Sequence, residues 1–199
     1  MNSPDRNCMS RFMILAFCVV AVGSLLQACS STTGPYRTSA SGYRDSLRAQ
    51  QLTEDAADLV FSDPERAEEL LREALTADLY HGPAHNNLGV VFLNSGRLYD
   101  AASEFEWARK LMPGHPDPRL NLALTLEEAG RIGEAADSYH TALEVYPNHL
   151  PTLMGLTRMQ IRTGTTDEHT RSNLQEIVMR SSDSVWRSWA ERELLRLDE

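Results

Sequence analysis

Small and bulky apolar residues return at fixed positions along the middle of the chain. Two sets of alanines repeat every 34 residues, namely Ala67, Ala101 and Ala135, and Ala74, Ala108 and Ala142. A bulky position between them is filled at the same spacing by Leu71, Phe105 and Tyr139. A fixed period of this length is typical of a solenoid of helix–turn–helix units, because each unit can bury its apolar face only against a neighbour. The pattern predicts an all-α protein that presents a surface rather than performs chemistry.

Helical spacing continues from about residue 43 to the end, and no segment alternates as a strand would. We predict paired helices over residues 43–61 and 64–79, 83–95 and 98–111, 117–129 and 132–145, and 151–163 and 167–180, with a last helix over 184–197. Between the paired helices, Gly96, Gly130 and Gly164 recur at the 34-residue spacing. A short turn at these points needs a residue that tolerates a positive φ.

Two units carry the motif of a known repeat family. In residues 82–115 its positions are Leu88, Gly89, Phe92, Gly96, Ala101, Phe105, Ala108 and Pro113, and in residues 116–149 they are Leu122, Ala123, Leu126, Gly130, Ala135, Tyr139, Ala142 and Pro147. This pattern resembles the tetratricopeptide repeat. The resemblance implies a right-handed superhelical solenoid of antiparallel helix pairs.

Two further units at the ends of the array match less well. Residues 48–81 have Glu54 where Leu is expected, and residues 150–180 have His169 and Glu176 at the alanine positions. The end of such an array must be shielded from water. A capping helix over 184–197 suits this role through an apolar stripe: Val185, Trp186, Trp189, Ala190 and Leu194. The alternative is that Trp186 and Trp189 form an aromatic platform for a ligand.

The N-terminus has the composition of a secretory signal. Arg6 and Arg11 precede an apolar stretch over residues 12–26, which is shorter than the approximately 20 residues that a membrane-spanning helix needs. Translation could start at Met1 or at Met9. The stretch ends in Leu26-Gln27-Ala28-Cys29, which resembles the bacterial lipobox.

The lipobox resemblance implies a signal peptide over residues 1–28, cleavage before Cys29 and lipidation of Cys29. The alternatives are ordinary signal cleavage or a chance cysteine. Ser30 in place of Asp implies, by resemblance to the sorting rule of Gram-negative bacteria, an outer-membrane lipoprotein facing the periplasm. Residues 29–42 read as a flexible tether with a reach of about 20 Å.

Charge and cysteine content exclude several functions. Removal of residues 1–28 takes away two Arg and one Asp, so the formal charge changes from −9 to −10. Such an acidic chain is a poor nucleic-acid binder and needs its lipid to adhere to an anionic membrane. Cys8 and Cys18 leave with the signal, so the mature chain has no disulfide, cysteine nucleophile or cysteine metal site. We expect no cofactor.

Catalytic and metal-binding patterns are also absent from the sequence. No phosphate loop, nucleophile elbow or zinc-protease motif occurs, so we expect no enzymatic activity and no catalytic residues. His81, His115 and His149 each end a repeat. Equivalent points on stacked repeats should lie on the order of 10 Å apart, which is too far for one zinc ion. We therefore expect no metal site.

In tetratricopeptide repeat proteins the first helix of each repeat lines a concave groove that often binds a peptide or a helix. By that resemblance, the groove candidates here are Asn86, Asn87, Val90, Asn94, Asn121, Leu124, Glu127, Glu128, Met154, Arg158 and Arg162. Asn87 and Asn121 occupy the same repeat position, where an amide can bond a peptide backbone. The alternative is that Asn is simply common there. The two Glu and two Arg predict a groove of mixed charge, although solvation or local pairing explains them equally well.

Three functions fit these features. The first is a membrane-anchored scaffold that docks a protein partner during envelope assembly, similar in architecture to the pilotin-type lipoproteins of pilus biogenesis. The second is an accessory or regulatory subunit of an envelope enzyme such as a peptidoglycan hydrolase. The third is a structural protein that links the outer membrane to another layer.

Overall fold

The computed structural model describes residues 44–197. The helices of this range are α1 (Ser46–Ala57), α2 (Pro64–Ala77), α3 (Gly82–Asn94), α4 (Leu98–Leu111), α5 (Asp117–Glu128), α6 (Ile132–Val145), α7 (Leu150–Thr163), α8 (Thr170–Arg180) and α9 (Ser184–Arg196), and the range contains no strand. The predicted signal peptide, the tether and Cys29 lie outside the described residues. None of the helices in residues 44–197 is long and apolar enough to cross a membrane.

The largest differences from the predicted helix ends lie at the end of α1 and the start of α8, and local hydrogen bonds explain both. The first ends at Ala57 rather than at 61, because the Leu59 N–H bonds to the Ala56 carbonyl and closes a turn. The eighth begins at Thr170 rather than at 167. There the Asp167 carboxylate accepts from Gln160 Nε2 at 2.8 Å and from the His169 N–H at 2.9 Å, which keeps the preceding segment in a loop.

The repeating alanines lie where the helices approach most closely. All six are fully buried, as are the bulky residues Leu71, Phe105 and Tyr139. Close packing continues on the facing helices, where a Cβ on Gly89 would lie 2.6 Å from Phe105 Cε1. The turns between paired helices also follow the prediction, since Gly96, Gly130 and Gly164 have φ angles of 72°, 75° and 69°.

The first helices of successive pairs form a continuous inner wall. Contacts join α1 to α3, α3 to α5, and α5 to α7, whereas the outer helices α2, α4, α6 and α8 make no such contacts with one another within the described range. Closer spacing of the inner helices curves the stack and places α3, α5 and α7 on its concave side.

The last helix covers the C-terminal end of the core. Trp186 and Trp189 are partly buried and pack against the cluster formed by Leu174, Ile177 and Ala190. The two indole rings meet edge to face, with centroids 5.3 Å apart. Val185 was predicted to belong to the apolar stripe of this helix, and that prediction is wrong. Its side chain is 73% exposed because it lies in the first turn of α9, where the chain enters the helix.

Candidate functional site

The concave face of α3, α5 and α7 brings the predicted groove residues together. A cavity of about 600 Å³ lies between these helices. It is lined by Leu93, Asn94, Leu124, Glu127, Glu128, Arg158 and Arg162. All but Leu93 are among the predicted candidates. Helical periodicity could have identified Leu93, because it lies seven residues after Asn86 and therefore on the same face of α3.

Asparagine amides connect α3 and α5. Asn121 Nδ2 in α5 donates to Asn86 Oδ1 in α3 at 3.0 Å, and Asn86 Nδ2 lies 3.4 Å from Asn87 Oδ1. All three side chains are half-buried. Among the described residues, Asn87 Nδ2 and Asn121 Oδ1 have no hydrogen-bond partner, so one donor and one acceptor remain available.

Glu127 is the centre of the charged end of the groove. Its Oε1 accepts from Arg158 Nη2 at 3.2 Å and forms an ion pair with Arg162 Nη2 at 2.9 Å. Its Oε2 accepts from the Tyr139 hydroxyl at 2.7 Å. Burial, followed by the hydrogen bond to Glu127, raises the pKa of Tyr139 above its ordinary value, so the phenol keeps its proton and acts as donor.

The two acidic candidates therefore have different environments. Glu127 is only 7% exposed and lies beneath the arginines, where it holds their guanidinium groups. Glu128 is exposed at the edge of the cavity and makes no ion pair with either arginine in the described structure. We conclude that Glu127 positions the site, whereas Glu128 is accessible to a partner.

Val90 and Met154 are not among the residues that line the cavity. Val90 is half-buried on α3, one turn before Asn94. Met154 is partly buried and packs against the cluster of Leu174, Ile177 and Ala190, so its side chain contributes mainly to the C-terminal core.

Two of the histidines that end the repeats lie close to one carboxylate. His149 Nε2 lies 3.3 Å from Asp117 Oδ1, and His115 Nδ1 lies 3.6 Å from Oδ2 of the same carboxylate. The side chains at these equivalent positions are therefore closer than the repeat spacing alone predicts. Within residues 44–197 no group of three or more His, Cys, Asp or Glu side chains could hold a metal ion.

A buried histidine, His85, lies at the start of α3. His85 Nδ1 is 2.6 Å from Glu104 Oε2, and its Nε2 is 2.9 Å from the Leu79 carbonyl. Its ring stacks on Trp107 with centroids 5.8 Å apart. These contacts join α3 to α4 on the side away from the Glu127 cluster, so we assign His85 to the packing of the repeat.

Comparison with known protein families matches the description Tetratricopeptide repeat over residues 57–116 and 87–149. Together with the fold, this shows that the chain contains tetratricopeptide repeats, and the predicted repeats and all-α superhelical fold are confirmed. No curated protein matches the sequence.

Solved structures share the fold at low sequence identity. The first tetratricopeptide repeat domain of Spaghetti (RPAP3), bound to the HSP90 peptide SRMEEVD, is 18% identical with a TM-score of 0.58, over 61% of this chain and 98% of that domain. A tetratricopeptide repeat protein from Parabacteroides merdae is 22% identical with a TM-score of 0.60, over 74% of this chain and 59% of its own.

A mutant O-GlcNAc transferase from Thermobaculum terrenum is 23% identical with a TM-score of 0.61, over 75% of this chain but only 27% of its own. Tetratricopeptide repeats are in general non-catalytic, and the absence of enzymatic activity stays a prediction for this chain. The fold suggests a scaffold for protein–protein interaction.

Proposed function

We propose that this chain is a lipid-anchored scaffold or assembly factor of the bacterial envelope, and that it binds a protein partner through the concave groove. The observation that carries the proposal is the composition of that groove. Three successive inner helices supply two leucines, the Asn94 amide, two glutamates and two arginines to one cavity, and the half-buried amides of Asn86 and Asn121 join the first two of these helices. A mixture of apolar contact area and a few placed polar groups is typical of a recognition surface.

The asparagines suit a partner segment in extended conformation. Asn87 Nδ2 can donate to a backbone carbonyl, and Asn121 Oδ1 can accept from a backbone N–H. Because every residue of a peptide offers these two groups, such contacts bind without regard to sequence. Leu93 and Leu124 add apolar surface beside them. The peptide bound to the RPAP3 repeat domain supports this mode of binding by analogy of fold.

Membrane attachment is proposed from the sequence Leu26-Gln27-Ala28-Cys29. Lipidation of Cys29 would anchor the protein, because each buried acyl CH₂ contributes about 0.8 kcal/mol and several chains act together. We place the protein in the outer membrane, facing the periplasm. The test is incorporation of labelled palmitate by the full chain and by Cys29→Ala. Equal labelling of both, or none in either, would reject lipidation at this residue.

The groove is tested by crosslinked capture from membranes, with bound proteins identified by mass spectrometry. The Asn87→Ala plus Asn121→Ala variant removes the amide pair. The matched control is Asn148→Ala plus Asn173→Ala, which changes one asparagine just before α7 and one within α8. We expect one dominant partner to disappear only with the groove variant, provided that its circular dichroism and melting temperature match the control. An unchanged partner list would reject the groove.

A further inference from the structure

A second concave surface lies on the convex side of the stack, between the outer helices α4 and α6. Two adjoining cavities there, of about 390 and 250 Å³, form one outer cleft because they share four lining residues, Glu106, Leu122, Leu126 and Glu134. The two leucines belong to α5, which packs against both outer helices and forms the floor of the cleft. On the α4 wall, Tyr99 and Trp107 leave 88% and 43% of their side-chain surface exposed.

The corresponding space one repeat earlier, between α2 and α4, is bridged by the protein itself. There the Arg97 guanidinium lies over the Phe92 ring, 4.0 Å from its centroid, and pairs with Glu68 of α2 at 3.1 Å. One period later, the positions of these three residues hold Arg131, Leu126 and Ala102. The alanine offers no carboxylate and the leucine offers no ring, and the arginine pairs with Glu134 instead. The outer cleft is therefore open because its sequence lacks the groups that bridge its counterpart.

Two charged side chains of the outer cleft have no ion-pair partner within residues 44–197. The other charged residues that line the cleft pair along the same wall, Glu106 with Arg109 and Arg131 with Glu134. Asp137 on α6 is exposed and makes no ion pair in that range. Lys110 on α4 makes none either, and its ammonium lies 5.7 Å from the centroid of the Trp107 ring. The charges of the cleft balance in number, but one carboxylate and one ammonium lack a partner of opposite sign.

The free face of α9 carries groups that complement this cleft. α9 packs against α8 and contacts neither α4 nor α6 of its own chain. On its free side Leu195 is 68% exposed, and Ser188 lies seven residues earlier on the same face. Glu191 and Arg192 are about 100° apart around the helix axis and flank that face, and neither makes an ion pair among the described residues. The face therefore combines an apolar centre with one acidic and one basic flank.

We propose that α9 of one copy of this chain lies in the outer cleft of a second copy. The 13 residues of α9 span about 20 Å, close to the length of the 14-residue α4 wall. The apolar centre of the helix covers the leucine floor, and the small Ser188 permits a close approach. One of the two directions of α9 along the cleft brings Arg192 towards Asp137 on α6 and Glu191 towards Lys110 on α4. Both signs of unpaired charge are then matched beside buried apolar surface.

The outer cleft and the free face of α9 are different surfaces, so the contact is heterologous. Each copy offers both surfaces, and association therefore continues into an open chain or closes into a ring. The contact does not use the concave groove and does not depend on the proposed binding there. A photoreactive residue at Tyr99, which lines the cleft, would join two copies of this chain, a product distinct from any partner of the groove.

The test is sedimentation velocity of the full chain in detergent micelles at rising protein concentration. Asp137→Arg and Arg192→Asp each bring like charges together, and Asp55→Arg on the exposed side of α1 is the matched control. We expect the wild type and the control to associate, and each reversal alone to weaken association about tenfold or more. An equimolar mixture of the two reversed variants should restore association, because every contact between unlike copies joins opposite charges. Circular dichroism checks that all variants are folded.

Three results would overturn the proposal. The first is a wild type that stays monomeric at every concentration, and the second is Asp137→Arg that associates as the wild type does, since the cleft would then not take part. The third is loss of association in Asn87→Ala plus Asn121→Ala, which would show that the copies meet through the concave groove. If the wild type is monomeric while position 99 crosslinks a different protein, the cleft binds that protein and the second copy is wrong.

Discussion

The hydroxyl of Tyr139 and the carboxylate of Glu127, 2.7 Å apart, connect the packed core of the repeats to the concave groove. Tyr139 occupies the bulky position of the 34-residue pattern, between Ala135 and Ala142, and is fully buried. The residue that completes the core of one repeat therefore also fixes the carboxylate that holds Arg158 and Arg162.

Removal of this hydroxyl should destabilise the protein although the ring remains. In Tyr139→Phe the buried Glu127 loses a donor, so we expect the free energy of unfolding to fall by about 1–2 kcal/mol. The matched control is Tyr99→Phe, since the Tyr99 side chain is 88% exposed. Urea denaturation of both variants measures the difference, and equal stability of the two would contradict the role of the bond.

Adding a methyl group should change the stability of the protein in opposite directions at two helical glycines, Gly155 and Gly133. A Cβ on Gly155 would lie 2.7 Å from Tyr139 Cε1, and we expect Gly155→Ala to cost about 1–3 kcal/mol through overpacking. A Cβ on Gly133 in α6 meets nothing within 4 Å, so Gly133→Ala should stabilise by up to about 1 kcal/mol through helix propensity. Thermal unfolding of the two variants shows whether each one is more or less stable than the wild type. If Gly155→Ala is as stable as the wild type, close packing against Tyr139 is contradicted.

Two histidines should make the protein less stable in mild acid. Burial lowers the pKa of His81 and of His149 below the ordinary 6.5, although the carboxylate facing each one, Asp78 or Asp117, acts in the opposite direction. Neighbouring His85 and His115, respectively, lower these values further. The folded state therefore favours the neutral imidazoles, and their contribution to stability is present above pH 6.5 and decreases as the pH falls through the folded values.

We expect the free energy of unfolding to decline as the pH falls below about 6.5, and to decline less in His81→Asn plus His149→Gln. The exposed His140→Gln serves as control. Urea denaturation at several pH values provides the comparison. If the free energy of unfolding depends on pH equally in the wild type, the double variant and His140→Gln, His81 and His149 do not cause the acid sensitivity.

An ion pair with a buried carboxylate, at the start of the described residues, should matter more than a fully exposed pair. Asp78 is buried and accepts from Arg44 at 2.9 and 3.1 Å and from the Ser46 hydroxyl at 2.8 Å. Arg48 of α1 and Glu73 of α2 form an exposed pair. Asp78→Asn should accelerate hydrogen exchange across α1, whereas Glu73→Gln should change it little, because surface pairs contribute little. Similar exchange in both variants would contradict this difference.

The sequence predicts the features that the repeat imposes and misses those that depend on its irregular contacts. Buried alanines such as Ala101 recur because every unit packs against its neighbour in the same way, so their period is visible without a structure. The Tyr139–Glu127 bond joins residues of different helices, and no spacing rule relates them. His85 illustrates the same limit, because its partner Glu104 lies on the next helix and is recognisable only once the two helices pack.

The groove residues were predictable in part. Helical periodicity and the family resemblance place Asn121, Leu124 and Arg158 on one face, and the structure brings them to the same concave wall. Periodicity cannot tell whether a charged side chain faces a ligand or another side chain. Glu127 is an example, because it lines the cavity while its carboxylate also contacts Arg158, Arg162 and Tyr139.

The most direct test of the central claim is site-specific photo-crosslinking of the full chain in membranes. A photoreactive residue is introduced at Val90, on the concave wall, or at Tyr99, on the outer helix α4. The account predicts a crosslink to one protein partner from position 90 that disappears when Asn87→Ala and Asn121→Ala are added, and no such product from position 99. A partner captured from position 99 alone, or from both positions regardless of the asparagines, would contradict binding in the groove.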